Sequence, residues 1–442
     1  MIAIELLILL STILPLFHLL NALVGQKRNN KPQTTPEREI SILVPCFNEE
    51  DTVRISVSGL LKSEYSNYEA IYINDGSVDG TMQQLDAVLD LYALSDAPPG
   101  VNAAYRSARH ENFFVLDTKN GGKSAALNAG IAFASTDIVV TLDADSVLER
   151  RALSIISRAF DDEDVAAAGG AIHIMQGYAP KSVFRRLRRS RAMIVALQML
   201  EYLKGFYIYK FSLAKQNATA IISGAFGAFR KQVLLDAGGF RHTLGEDIDI
   251  TISIQRVIHR TKRKIMYLPE ALCCTQCPEY WSDLKKQRIR WQKGFIDCAV
   301  HHRRFLLKTM LFKSLSFHFV VEALAVGHIS CIFTLVTLAA MPLLGIIDPQ
   351  AMGTFLLYNA ICAGVSLIYS LAALLISSRY HRYPSHAWGW LLAAMLLDVL
   401  FYRYFTLLMY LGGTVSCFWS RRSAQNWGRV ARSRQSYYAP NA

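Results

Sequence analysis

The order of apolar and polar positions divides the chain into three kinds of stretch. Residues 2–24, IAIELLILLSTILPLFHLLNALV, are apolar over the length of ~20 residues that a helix needs to cross a hydrocarbon core. From about Glu39 the pattern changes to short apolar runs ended by turn residues: ISILVPCF, YEAIYINDGS, NFFVLDTKNGGK and DIVVTLDADS. Each run predicts a strand, and most are followed by a helical stretch such as EEDTVRISVSGLLKS or SAALNAGIAFAS. Strands alternating with helices predict an α/β domain built on a parallel sheet covered on both faces. Beyond Phe317 the chain turns apolar again, over 318–344, 352–377 and 386–418, and predicts about three further spans within 301–419. Asp398 and Arg403 interrupt the last of these.

Composition and charge set the surroundings of these elements. Of 442 residues 52% are hydrophobic and only 19% charged, which points to an integral membrane protein. The net charge of +12 is carried by basic runs beside apolar segments, a pattern that fits anionic lipid and leaves no nucleic-acid partner expected. Lys27, Arg28 and Lys31 follow the first span and no basic residue precedes it, so residues 1–25 are expected as an N-terminal transmembrane helix, not a cleaved signal peptide. After a basic linker, 26–38, the region 39–300 is then expected in the cytoplasm, in a multi-pass protein of the cell membrane. Within it, 181–215 combines Arg185, Arg186, Arg188, Arg189 and Arg191 with MIVALQMLEYLKGFYIYKF. An amphipathic helix on the inner leaflet accounts for that mixture, and a solvated helix with a basic face is the alternative. Three later spans would leave the basic tail 420–442 outside, against the positive-inside rule; either 386–418 is re-entrant or doubled, with Asp398 and Arg403 paired, or another segment fails to cross. Cys273, Cys274 and Cys277 in CCTQC lack a partner pair at zinc spacing and read as buried thiols in a reduced compartment.

Ligands of such sheets bind at the carboxyl ends of the strands, where Asn48-Glu49, Asp75-Gly76 and Asp143-Ala144-Asp145 stand. Asp143 and Asp145 are spaced to share one Mg²⁺ or Mn²⁺ with a substrate diphosphate, although a solvated turn has the same sequence. Asp75 can accept hydrogen bonds from a base or ribose. Lys123, behind the Gly121-Gly122 pair at a helix start, offers an ammonium and backbone N–H groups to an anion. Transfer of a sugar from a nucleotide donor needs a base for the acceptor hydroxyl and cations for the leaving diphosphate. In LGEDIDI, Asp247 is the candidate base; in QRIRW, Arg290 is the candidate cation, with Gln287 as a donor and Trp291 as a flat face for a sugar ring.

VPCFNEE, INDGS, NGGKSAALNAG, TLDADS, SGAFGAFRK, LGEDIDI and QRIRW, in this order, resemble the membrane-embedded, processive family 2 glycosyltransferases that make cellulose, hyaluronan, chitin oligomers and poly-N-acetylglucosamine. The resemblance covers about residues 40–300 closely. It implies an inverting, Rossmann-like GT-A domain inserted between transmembrane helices. Glu49 and Asp75 would bind the uridine, Lys123 and Arg290 the phosphates, and Asp143 with Asp145 the nucleotide and metal. Asp247 would be the catalytic base, and Glu246, Gln287 and Trp291 would hold the acceptor chain. The implied partners are a UDP-sugar donor, a polysaccharide acceptor, membrane lipids and a small accessory membrane subunit. Asn74 and Gly245 depart from the residues common in the cellulose and hyaluronan branches. With a single N-terminal span and no cyclic-dinucleotide-binding appendage, the poly-N-acetylglucosamine-like branch is the nearest match. Two other readings stay open: addition of a single sugar to a lipid-linked acceptor, and a transporter or receptor that only binds the nucleotide sugar.

Overall fold

The computed structural model describes residues 2–24, 37–178, 189–344 and 349–419. These fall into two compact units: one of 37–178 with 220–277, and one of 2–24, 189–219, 278–344 and 349–419. The stretch expected as one domain over 39–300 is therefore divided, with 189–219 and everything from Pro278 onward belonging to the second unit.

The first unit is a ten-stranded sheet in the order β3-β4-β5-β2-β1-β6-β9-β8-β10-β7. Its strands are β1 Ile40–Cys46, β2 Tyr68–Asp75, β3 Leu91–Ala93, β4 Val101–Ser107, β5 Phe113–Thr118, β6 Ile138–Leu142, β7 Ser146–Leu148, β8 Val165–Ile174, β9 Phe226–Arg230 and β10 Lys264–Thr275. The four predicted strands, β1, β2, β5 and β6, form its parallel centre. Six of the seven residues of β1 are buried, as expected of a strand covered on both faces. Leu43, Ile73 and Val139 pack in one core with Leu127 and Ile131 of the helix Lys123–Phe133 and with Ile250 and Ile254 of the helix Glu246–Val257. Each such side chain taken from water contributes roughly 1.5–3 kcal/mol.

The sheet differs from the all-parallel expectation on both flanks. β4 runs antiparallel to β5, and β9 runs antiparallel to both β6 and β8. Parallel pairing of neighbours follows from strand-helix-strand crossovers. Only three residues, Asp143 to Asp145, join β6 to β7, and more than one element intervenes between β8 and β9, so that rule does not govern these strands.

The second unit is helical. Among the described residues, three helices are long and apolar enough to cross a membrane by length and composition, Ser314–Leu335, Gly353–Ser377 and Ser385–Phe418. The helix Ile2–Val24 precedes them. The interruption at Asp398 does not break the last span: Ser385–Leu397 continues through a π-helical turn, Asp398–Tyr402, into Arg403–Trp419. A re-entrant or doubled segment is thus replaced by one continuous helix. Asp398 is paired with Lys204 at 2.6 Å, and Ser366 donates to it at 3.1 Å, so its partner is not Arg403 as anticipated but a lysine from another helix. In the helix Arg189–Lys204 the side chains of Ile194, Ala196, Leu197 and Leu200 are buried with Leu284, Ala394 and Tyr402. The apolar face of this helix is thus covered by other helices of the same unit. The linker with Lys27, Arg28 and Lys31, the run Arg185, Arg186 and Arg188, and the tail 420–442 lie outside the described residues.

Candidate active site

Strand ends and two helix starts supply the site in the sheet unit. β2 ends at Asp75, whose Oδ1 accepts from the Gly121 N–H at 2.7 Å and whose Oδ2 accepts from the Gly122 N–H at 2.9 Å. The turn after it needs glycine: Gly76 has φ +64°, and a Cβ there would lie 2.7 Å from the Asn120 nitrogen. Asp75 is buried, and burial raises its pKa above the usual carboxylate range against the lowering effect of the two amides and of His242. The Asp75 carboxylate therefore fixes the Gly121-Gly122 turn that launches the helix of Lys123. Glu49 follows β1; its Oε2 accepts from Thr52 Oγ1 at 2.6 Å, and its N–H donates to Thr81 Oγ1 at 2.7 Å. Asn48 ties the same loop to the turn after β2, donating to Ser77 Oγ and accepting from the Val78 N–H, both at 2.9 Å.

Lys123 is the centre of charge. Its Nζ lies 2.7 Å from Asp143 Oδ1 and 2.9 Å from Glu246 Oε1, and it donates to the Gly224 carbonyl at 3.4 Å. Burial disfavours the ammonium, but Asp143 and Glu246 more than offset it, and the pKa is raised well above that of a free lysine. Asp143 follows β6 directly. Desolvation raises its pKa, Lys123 lowers it and Asp145 raises it again, with a net upward shift. Asp145, on the other side of Ala144, accepts from Ser146 Oγ at 3.2 Å and from Thr275 Oγ1 of β10 at 3.3 Å.

Asp247 stands in the first turn of the helix Glu246–Val257, where the helix N-terminus favours a carboxylate. Its Oδ2 accepts from the Gly224 N–H at 3.3 Å and its Oδ1 from the Ile248 N–H at 2.9 Å. Thr251 fixes the same turn from below, donating to the Asp247 carbonyl at 2.6 Å and accepting from the Ile222 N–H at 3.0 Å. Gly224 faces Lys123, Glu246 and Asp247. A Cβ on it would lie 2.9 Å from Lys123 Nζ, 3.3 Å from Glu246 Oε1 and 3.5 Å from Asp247 Cβ. The structure thus brings together Lys123, Asp143, Glu246 and Asp247, and it adds Gly224, which sequence reasoning passed over although SGAFGAFRK contains it.

Gln287, Arg290 and Trp291 lie in the other unit, on the helix Trp281–His301. The residue of QRIRW that is buried in an ion pair is Arg288, not singled out from the sequence: its guanidinium lies 2.7 Å from Glu201 Oε2, and Tyr402 donates to the same oxygen at 2.6 Å. Arg288 also donates to Gln287 Oε1 at 2.6 Å, and its Cζ lies 4.2 Å above the Trp291 ring. Trp291 is held by that cation and remains 39% exposed, so part of its indole is open to a ligand. Arg290 is partly buried on the same helix. Of the CCTQC cluster, Cys273, Cys274 and Cys277 are all buried free thiols, and burial raises the pKa of Cys273 and Cys274.

The family model described as "Glycosyltransferase like family 2" matches residues 36–294. A poly-beta-1,6-N-acetyl-D-glucosamine synthase of Staphylococcus aureus (strain MSSA476) is 28% identical over 288 residues, covering 64% of this chain and 61% of its own length. The chain thus spans 61% of the length of that relative. The enzyme of the same name from Staphylococcus epidermidis is 28% identical over 349 residues, with 78% and 76% covered. Among solved structures, the mannosyltransferase PcManGT from Pyrobaculum calidifontis, in complex with GDP-Man and Mn²⁺, superposes with a TM-score of 0.57 at 16% identity, over 94% of this chain and all of that one. At that identity the likeness is one of fold.

Proposed function

We propose that this chain, which belongs to glycosyltransferase family 2, transfers sugar from a UDP-sugar to a growing β-linked polysaccharide and helps to export it. The donor we assign is UDP-N-acetylglucosamine or UDP-glucose. The observation that carries the reading is the meeting of Lys123, Asp143, Glu246 and Asp247 around Gly224, at the carboxyl end of the parallel strands. Its support from outside is the family match and the likeness to poly-N-acetylglucosamine synthases.

Asp143 and Asp145 present oxygen donors only, as Mg²⁺ or Mn²⁺ prefer, and the two residues are partly exposed at a strand end; they fit such an ion. Bound there, the ion would supply charge to the donor diphosphate. The structural neighbour PcManGT carries Mn²⁺ in its complex, which supports the assignment. Lys123 places a second positive charge at the same spot. Glu49 and Asp75 shape the nucleoside side, Asp75 with lone pairs left beyond the two it gives to Gly121 and Gly122.

Asp247 is the base. It takes the proton of the acceptor hydroxyl as that oxygen bonds to the anomeric carbon from the face opposite the diphosphate; the bond from that carbon to the diphosphate oxygen breaks, and UDP leaves with the electron pair. Attack from the opposite face inverts the anomeric centre. The hydrogen bonds from Gly224 and Ile248 hold the Asp247 carboxylate in place before the acceptor arrives. We assign Arg290 to the leaving diphosphate, and Gln287 with the open part of Trp291 to the acceptor chain. The test is incubation of purified protein with labelled UDP-N-acetylglucosamine, UDP-glucose and GDP-mannose, each with Mg²⁺ or Mn²⁺, followed by sizing. The reading expects a ladder from a UDP-sugar; one added sugar would refute chain growth, and no UDP release from any donor would refute the reading whole.

A further inference from the structure

We propose that His18, His318 and Glu322, in the helical unit, form a binding site for a divalent transition-metal ion of the Zn²⁺ class, separate from the sugar-transfer site. One ligand atom from each of the three lies within 4.8 Å of the others. His18 is 1% exposed and His318 4%, so this is an interior cluster. His18 comes from the helix Ile2–Val24, while His318 and Glu322 stand four apart on the π-helical turns Phe317–Val326. π-helical turns are rare and recur at functional positions.

The hydrogen bonds around the cluster aim its ligand atoms at one another. Gln216 Nε2 donates to the Ser212 carbonyl at 3.2 Å, which turns Gln216 Oε1 toward His318 Nε2, also at 3.2 Å. An amide oxygen only accepts, so His318 Nε2 carries the hydrogen. In a neutral ring the other nitrogen, Nδ1, then presents a lone pair, and it faces Glu322 Oε2 at 2.6 Å. At that distance the two share a proton, which a metal ion drawing both atoms to about 2 Å from itself would displace. His18 also turns one nitrogen to Glu322: its Nδ1 is engaged by the Ser212 hydroxyl at 2.8 Å, which can donate to it, and its Nε2 faces the two Glu322 oxygens at 3.0 and 3.1 Å. Ser212 is itself held by Asn21 Nδ2 at 3.1 Å. Each imidazole thus has its outer nitrogen fixed by a neighbour and its inner nitrogen aimed at one carboxylate, the pattern by which partners behind the ligands orient histidines on a metal.

Two imidazoles and one carboxylate select an ion softer than Mg²⁺, which favours all-oxygen donors such as Asp143 and Asp145. A proton shared between His318 and Glu322 is the competing occupant. The full chain in detergent, stripped with chelator and titrated with Co²⁺ alone, separates the two. A metal site gives a single equivalent with the visible absorption of low-coordinate Co²⁺, displaced by Zn²⁺. The band persists in Asp145→Ala and disappears in His318→Ala. Ser212→Ala keeps all three ligands but loses the partner behind His18, and it should weaken Co²⁺ about 10–100-fold. That variant also keeps the test alive should His318→Ala fail to fold. No band in the wild type, Zn²⁺ content equal to that of the His18→Ala/His318→Ala protein, or unaltered affinity in Ser212→Ala would each overturn the site.

Discussion

Lys123 opens a helix, yet its ammonium reaches 2.7 Å to Asp143 at the end of a strand 20 positions further along the chain. This pair links the start of that helix to the strand-end carboxylate that we assign, with Asp145, to the donor. With Glu246 on its other side, the ammonium is held between two acids in a largely buried place.

Lys123→Met should therefore be costly twice over. Asp143 and Glu246 would be left facing each other without their cation, and removal of one partner from a buried ion pair costs about 3–5 kcal/mol. The expectation is a lower melting temperature together with lost UDP binding. Unfolding followed by fluorescence, next to a UDP titration, checks both; an unchanged melting temperature would contradict the placement of Lys123.

Gly224→Ala isolates the site from the fold. The new methyl would come within 2.9 Å of Lys123 Nζ and 3.3 Å of Glu246 Oε1, and neither group is free to swing away. Transfer should fall at least tenfold, about 1.4 kcal/mol in the barrier, while the protein keeps its elution profile. Wild-type turnover would show that Lys123 and Glu246 can yield.

Much of the sheet and of the site is legible in the sequence alone. The strands β1, β2, β5 and β6 are apolar runs that end at Asn48, Asp75, Lys119-Asn120 and Asp143, and such runs announce themselves. β8, VAAAGGAIHI, gave no comparable signal, because small residues and a glycine pair suit a strand only once β9 and β10 enclose it. Asp143, Lys123 and Asp247 stood out by residue type and turn context. That Gly224 faces them depends on a loop returning to the sheet from a distant part of the sequence. QRIRW offers two arginines, and nothing in the pattern says that Arg288 is the one taken by Glu201.

Acidification should remove donor binding before it threatens the fold. Burial raises the pKa of Asp75 and Asp143 above the usual carboxylate range. Protonation is therefore easier in the folded chain than in the unfolded one, so these two groups favour folding as pH falls. Their ionised forms serve the site, however, and UDP affinity should decline at a pH above the ordinary aspartate value of about 3.9. UDP titrations from neutral pH downward test this; a decline only at or below that value would contradict the shift.

Trp291→Ala should separate chain holding from chemistry. The indole is stacked by Arg288 at 4.2 Å and keeps an open side for a pyranose ring. We expect retained UDP binding with shorter products on a sizing gel. Arg290→Ala should instead lose nearly all transfer. Products of unaltered length from Trp291→Ala would remove the tryptophan from the acceptor path.

Asp247 is the residue that we assign to the acceptor proton. Asn at this position keeps the shape and can still accept from the Gly224 N–H through its amide oxygen, but it cannot act as the base. The decisive measurement is single-turnover sugar transfer by Asp247→Asn next to UDP affinity in the same preparation. The expected outcome is a rate lower by about 10²–10⁴-fold with UDP affinity close to wild type; a rate near that of the wild type would rule out Asp247 as the base.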